Sequence, residues 1–127
     1  MNALLSAMHW LYPIFQGILI GLLAMIIHEC GHLMAARLLG INVKSVSLRW
    51  KGLCTIRESG PPIANLLISL AGPAANALML VATHWSPVFG LANACYAFFN
   101  FLPIEGADGE RALACWSLIK GRRATAT

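Results

Sequence analysis

The sequence is short of charge, and this shortage indicates the class of protein. Charged residues make up 11% of the 127 residues, whereas hydrophobic residues make up 58%. Soluble domains carry roughly 25% charged residues. A soluble protein of this length could not bury so much apolar surface, so lipid must form part of its solvent. The composition predicts an integral membrane protein whose residues 1–127 form a single domain.

The sequence also lacks closely spaced cysteine pairs and the features of a secretory signal peptide. The four cysteines are widely separated and form no Cys-x-x-Cys pair, which leaves no case for a disulfide framework or a four-cysteine zinc site. No Lys or Arg precedes the first apolar run, residues 15–39. That run is also longer than the roughly 7–15 residues of a signal-peptide core. We therefore interpret it as a membrane span and not as a secretory signal.

Seven of the nine Lys and Arg residues, which give the chain a net charge of +4, lie in two regions, the connection at residues 40–62 and the C-terminal tail. No stacking aromatics are interleaved with these residues in the way that nucleic-acid binding requires, so we expect no nucleic-acid partner. Lys and Arg beside the ends of membrane spans instead mark the cytoplasmic side.

Three apolar segments are candidates for crossing the bilayer, which takes about 20 helical residues. They are residues 15–39, residues 63–85 and a segment that begins near residue 88 and continues through residue 101. Three crossings place both basic regions on one side of the membrane. The sequence therefore predicts a multi-pass protein with its N-terminus outside and its C-terminus in the cytoplasm.

The third segment is interrupted. Residues 103–109, Pro-Ile-Glu-Gly-Ala-Asp-Gly, cannot form a regular lipid-facing helix, and apolar sequence resumes at residues 112–119. Irregular backbone at membrane depth is tolerated where it is buried in protein or lines a wet cavity. We predict a broken third helix. The alternative is a span that ends at Leu102, followed by an interfacial helix over residues 104–119.

The connection between the first two spans alternates apolar and polar residues. Val46, Leu48 and Trp50 alternate with polar residues, and a second apolar run follows Gly52. This period of two predicts a short pair of β-strands at the membrane surface. A solvated amphipathic loop is the alternative.

The pentad His28-Glu29-Cys30-Gly31-His32 lies within the first apolar run. Its spacing puts two imidazoles one helical turn apart on the same face, where both can bind one Zn²⁺. Glu29 is then placed to take a proton from a water on that metal. Such polar groups inside a membrane span are costly and therefore indicate function. We predict hydrolysis within the membrane.

A catalytic zinc has three protein ligands and an open position for water. The broken third segment holds three carboxylates that could supply the third ligand. Asp108 is preferred, because Ala107 and Gly109 allow close approach of the backbone. Glu105 and Glu110 remain alternatives.

Three motifs of this sequence resemble those of the site-2 proteases, a family of intramembrane zinc metalloproteases, and they occur in the same order along the chain. The pentad matches the first core helix of that family, and Ala-Gly-Pro-Ala-Ala-Asn at residues 71–76 matches the Gly-Pro-x-x-Asn element of the second. Asn-Phe-Leu-Pro at residues 100–103, followed by Asp108-Gly109, resembles the Asn-x-x-Pro…Asp-Gly motif of the third. The resemblance implies that Asp108 is the third zinc ligand, that Asn76 lies near the substrate, and that Asn100 either does likewise or braces the broken segment. For Asn76 an interhelical hydrogen bond is the alternative.

The sequence departs from the family pattern around Asp108. The family usually has Leu-Asp-Gly where this chain has Ala107-Asp108-Gly109, and Glu105 and Glu110 add two carboxylates nearby. The chain is a minimal three-helix core, so a regulatory membrane partner or a homo-oligomer is an open expectation.

The expected function is that of a zinc endopeptidase that cuts a transmembrane segment of another membrane protein. A strand edge in the connection could hold the unwound substrate. Two other classes stay open, a membrane protein that binds or transports zinc and an inactive pseudoprotease that binds helices without cutting them.

Overall fold

The computed structural model describes residues 2–49 and 52–124. Within these ranges the chain forms four helices and a two-stranded antiparallel sheet, so the predictions of a mainly helical protein and of a small strand pair are confirmed. The elements in chain order are helix α1 (Asn2–Leu38), strands β1 (Val43–Arg49) and β2 (Gly52–Arg57), and helices α2 (Pro62–Ala82), α3 (Pro87–Phe101) and α4 (Asp108–Ala124).

Helix α1 is longer than the apolar run alone predicts. It begins at Asn2 and continues through Pro13, because membrane helices tolerate an interior proline when neighbouring groups satisfy the freed carbonyl. It ends in a Schellman motif: Gly40 adopts a left-handed φ of 69°, and the Ile41 amide donates to the Ala36 carbonyl. This turn directs the chain into the sheet.

The sheet follows the alternation seen in the sequence. Ser45 pairs with Ile56 and Ser47 with Cys54, with an irregularity in β1 between Val43 and Ser45. Trp50, part of the predicted alternation, lies outside the described residues. Helix α2 then starts with Pro62 in its first turn, where proline costs no hydrogen bond.

Helices α1 and α2 approach each other closely at Gly31. A Cβ at this position would lie 2.5 Å from the Ala71 carbonyl oxygen and 2.9 Å from Ala75 Cβ. Small residues allow membrane helices to come this near. The close approach brings the pentad of α1 against the middle of α2.

Two helices of the described chain are long and apolar enough to cross a bilayer. They are Met8–Leu38, with a mean hydropathy of 2.0, and Pro62–Ala82, with a mean hydropathy of 1.6. Large apolar side chains of α1 such as Leu19 and Leu22 are exposed. Helix α3 has 15 residues, fewer than a crossing requires. The third crossing therefore stays a prediction.

The third apolar segment divides between α3 and α4. Helix α3 ends at Phe101, and the chain turns through Gly106, whose φ is 85°. The Gly106 amide donates to Glu110 Oε2 at 2.8 Å. Gly109 packs so tightly on the end of α3 that a Cβ there would overlap the Phe101 carbonyl. The turn thus positions Asp108, the first residue of α4, in the protein interior.

Candidate metal centre

The two pentad histidines share the buried face of α1. His28 is 4% exposed and His32 is 8% exposed. His32 Nδ1 donates to the Ile68 carbonyl at 2.7 Å, and His28 Nδ1 donates to Asn76 Oδ1 at 2.8 Å. Because Nδ1 carries the proton in each of these bonds, Nε2 of a neutral ring is left with a lone pair that can bind a metal.

The orientation of the Asn76 amide follows from its other contacts. Its Nδ2 donates to the Ala24 carbonyl and to Asn93 Oδ1, both at 2.9 Å, which leaves Oδ1 to accept from His28. Asn93 Nδ2 in turn donates to the Phe89 carbonyl at 2.9 Å. Asn76 and Asn93 are fully buried. A chain of amides from α3 through α2 therefore determines which nitrogen of His28 is protonated.

The turn between α3 and α4 brings Asp108 to both histidines. Its Oδ2 lies 2.9 Å from the Nε2 atoms of His28 and His32, which are 3.1 Å apart. With both imidazoles neutral, these three atoms are all acceptors, and they would repel one another without a cation. Ligand atoms around a tetrahedral zinc are separated by about 3.3 Å, given zinc–ligand distances near 2.0 Å. The three side chains fit Zn²⁺.

A glycine makes room for the imidazoles. Gly72 of α2 is buried, and a Cβ there would overlap His32 Nε2 and lie 2.8 Å from His28 Cε1. The Gly-Pro element of the second segment thus has a steric role at this centre, because any side chain at position 72 would displace the rings.

Glu29 lies on the side of the centre that faces the sheet. Its carboxylate belongs with His28 and His32 to a cluster whose ligand atoms lie within 4.8 Å of one another. Thr55 of β2 donates its hydroxyl to Glu29 Oε2 at 2.9 Å. Strand β2 therefore orients the carboxylate that stands next to the histidines.

The remaining predicted residues lie elsewhere. Glu105 and Glu110 are exposed, and Glu110 accepts the Gly106 amide within the turn. Asn100 Nδ2 donates to the Tyr96 carbonyl of its own helix at 3.0 Å. The structure thus brings Glu29, Asn76 and Asp108 to the histidines, and the role of Asn100 near substrate stays a prediction.

Sequence reasoning did not find two residues of this centre. Asn93 belongs to none of the three motifs, although an amide in an apolar segment is a signal of interhelical hydrogen bonding. Thr55 looks like an ordinary polar residue of an alternating strand. Its contact with Glu29 depends on how the sheet packs on α1.

Comparison with known proteins identifies the family of this chain. The model of the family described as Peptidase M50B-like matches residues 1–103, a region that ends before Asp108. A protein of Synechocystis sp. (strain PCC 6803), whose name gives it as a candidate zinc metalloprotease, is 32% identical over 120 residues. That alignment covers 80% of this chain and 32% of the relative, so the chain spans about a third of the relative's length. With its two apolar helices, the chain is a membrane protein of the M50B-like peptidases, the site-2 protease family of zinc metalloproteases.

Proposed function

We propose that this protein is an intramembrane endopeptidase that hydrolyses peptide bonds within or next to a transmembrane segment of another membrane protein. The observation that carries the proposal is the convergence of His28 Nε2, His32 Nε2 and Asp108 Oδ2 beside the Glu29 carboxylate. Water alone does not cut peptide bonds at useful rates, and this arrangement supplies both a metal site and a base.

Each residue has a distinct part in the proposed reaction. His28, His32 and Asp108 would hold Zn²⁺, which supplies Lewis acidity to the scissile carbonyl when bound. Glu29 takes the proton of the attacking water and returns it to the leaving amine. Thr55 holds the Glu29 carboxylate by its hydroxyl, so that the base keeps one orientation through both transfers.

The sheet suggests how the substrate is held. A helical substrate hides its peptide bonds, so it must unwind locally before hydrolysis. Strand β2 is bonded to Glu29 through Thr55 and pairs with β1 along one edge only. An extended substrate segment that added to the sheet would gain backbone hydrogen bonds close to the base. This is the binding mode we propose.

The proposal also includes the orientation of the chain in the membrane and the partners that control it. Basic residues in the connection at 40–62 and in the C-terminal tail support a cytoplasmic location of both regions and an external N-terminus. We also propose that a membrane partner or a second copy of the chain controls substrate access.

Replacement of Glu29 tests the proposal and separates it from zinc transport. The zinc-loaded protein in detergent is mixed with a reporter that contains a transmembrane segment, and cleavage is followed by gel and mass spectrometry. We expect Glu29→Gln to keep its zinc and to lose cleavage, whereas Glu105→Gln, which removes an exposed carboxylate, should cut like the parent. Equal cleavage by Glu29→Gln and the parent would rule out the proposed base.

A further inference from the structure

A cavity lies beside the metal centre, between β2 and helices α2 and α4. Its volume is about 470 Å³. Thr55 and Arg57 line it from the sheet, Asn65 and Ser69 from α2, and Arg111 from α4. Thr55 also donates to Glu29, so the cavity opens next to the proposed catalytic base.

Asn65 fixes one of the two guanidinium groups in this cavity. Arg57 Nη1 donates to Asn65 Oδ1 at 2.6 Å. Asn65 Nδ2 donates to the Gly60 carbonyl at 2.7 Å, so the amide is itself held by the turn that precedes α2. Arg57 is therefore an oriented cation and not a freely moving surface side chain.

The second guanidinium comes from α4. Arg111 Nη1 lies 3.6 Å from Asp108 Oδ1, while the other oxygen of Asp108 faces the histidines. Burial lowers the pKa of Arg57 and the nearby charge of Arg111 lowers it further, while Cys115 and Asp108 offset part of this shift. The two guanidinium groups thus repel each other, and an anion bound between them would reduce this repulsion.

Two carboxylates lie near the guanidinium pair, and each has another partner. Glu58 also lines the cavity, and its Oε1 lies 3.8 Å from Lys44 Nζ in an exposed ion pair. Asp108 directs Oδ2 to the histidines, and its Oδ1 offsets part of the Arg111 charge at 3.6 Å. Guanidinium groups bind carboxylates through two parallel hydrogen bonds, which gives directional recognition.

We propose that the cavity between Arg57 and Arg111 binds a carboxylate of the substrate, close in sequence to the bond that is cut. This inference rests on the proposed protease function. The carboxylate belongs to an Asp or Glu side chain of the unwound segment or to a free C-terminus of a shortened substrate. Because Thr55 borders both the cavity and Glu29, the anion and the scissile bond are held on one short stretch of extended chain.

Peptide binding tests this inference without catalysis. The zinc-loaded Glu29→Gln protein is titrated with fluorescein-labelled peptides that carry an apolar segment of about 20 Leu and Ala residues and a polar tail. A single Glu is moved along the tail, and each peptide is compared by fluorescence anisotropy with its Gln counterpart. A parallel pair ends in a free carboxylate or in an amide.

We expect Glu to bind about tenfold more tightly than Gln at one position or at two neighbouring positions, as charge-assisted hydrogen bonds predict. Preference for the free carboxylate over the amide would assign the site to a chain end and would equally support the proposal. Introducing Arg57→Gln or Arg111→Gln should remove the preference. Lys120→Gln, which removes an exposed cation that does not line the cavity, should retain it.

Equal binding of all Glu and Gln peptides and of both chain ends would overturn the inference, as would a preference that persists in Arg57→Gln. An Arg57-dependent preference for phosphatidylglycerol over phosphatidylcholine vesicles, without any peptide preference, would assign the cavity to a lipid headgroup and also overturn it. Zinc content and size-exclusion profiles confirm that the variants fold. Cleavage of the Gln peptide by the protein with Glu29 tests the proposed function separately.

Discussion

The side chain of Asn76 binds His28 across the interface of α1 and α2, with Asn76 Oδ1 accepting from His28 Nδ1 at 2.8 Å. This bond fixes the imidazole tautomer that directs Nε2 toward His32 and Asp108. Hydrogen-bond partners of this kind hold metal-binding histidines in place and contribute strongly to metal affinity. The contact supports a role for Asn76 in the metal centre in addition to the predicted role near substrate.

Replacing Asn76 should weaken zinc binding. We expect Asn76→Ala to reduce zinc affinity by about 10–100-fold, because His28 loses the acceptor that orients its ring. Competition with a chromophoric chelator measures the affinity. Asn100→Ala is the matched control, since Asn100 donates within its own helix. Equal affinities for Asn76→Ala and the parent would contradict the supporting role.

Asn93 should act through Asn76. Asn93→Ala removes one of the two acceptors for Asn76 Nδ2 and leaves the Ala24 carbonyl, so we expect a smaller loss of zinc affinity than for Asn76→Ala. Residues of one hydrogen-bond network are non-additive, so the double variant should resemble Asn76→Ala alone. The same chelator titration of the parent, the two single variants and the double variant gives a double-mutant cycle. Strictly additive losses would show that the two amides act independently.

Glycine at position 72 should be required for the metal centre. Gly72→Ala places a methyl group against both imidazoles, and we expect the variant to lose most of its zinc while it still inserts into detergent micelles. Gly90→Ala is the control, because a Cβ there meets Leu80 Cδ1 at an ordinary 3.5 Å. Metal analysis after size-exclusion chromatography compares the two. Full zinc content in Gly72→Ala would show that the rings do not occupy the position described.

Thr55 should affect turnover and leave the metal in place. Thr55→Val keeps the shape of the side chain and removes its hydroxyl, so we expect kcat to fall about tenfold or more with zinc content unchanged. Thr55→Ser restores a donor and should recover most of the rate. The measurement is kcat and KM on the transmembrane reporter. A rise in KM alone would indicate that Thr55 binds substrate and does not position Glu29.

The parts of this fold that the sequence predicts are those with local causes. The spacing of His28 and His32 determines their shared helix face, the alternation in the connection predicts the sheet, and residues 103–109 interrupt the helix because of their prolyl and glycyl content. Each of these follows from the backbone period or from the conformational limits of a few neighbouring residues.

The contacts that sequence reasoning missed depend on packing between distant elements. Asn93 meets Asn76 across 17 residues and Thr55 meets Glu29 across 26, and neither spacing carries a period. Helix α1 begins at Asn2, 13 residues before the apolar run that starts at residue 15, and it passes through Pro13. Such outcomes depend on neighbouring helices that a single sequence does not reveal.

Zinc stoichiometry of the detergent-purified chain, compared with Asp108→Ala and Glu110→Ala, shows whether Asp108 completes the metal centre. We expect about one zinc per chain in the parent and in Glu110→Ala, because the Glu110 carboxylate accepts an amide of the turn. In Asp108→Ala we expect zinc to be lost or bound far more weakly. Zinc retained unchanged in Asp108→Ala, or absent from the folded parent, would contradict a centre formed by His28, His32 and Asp108.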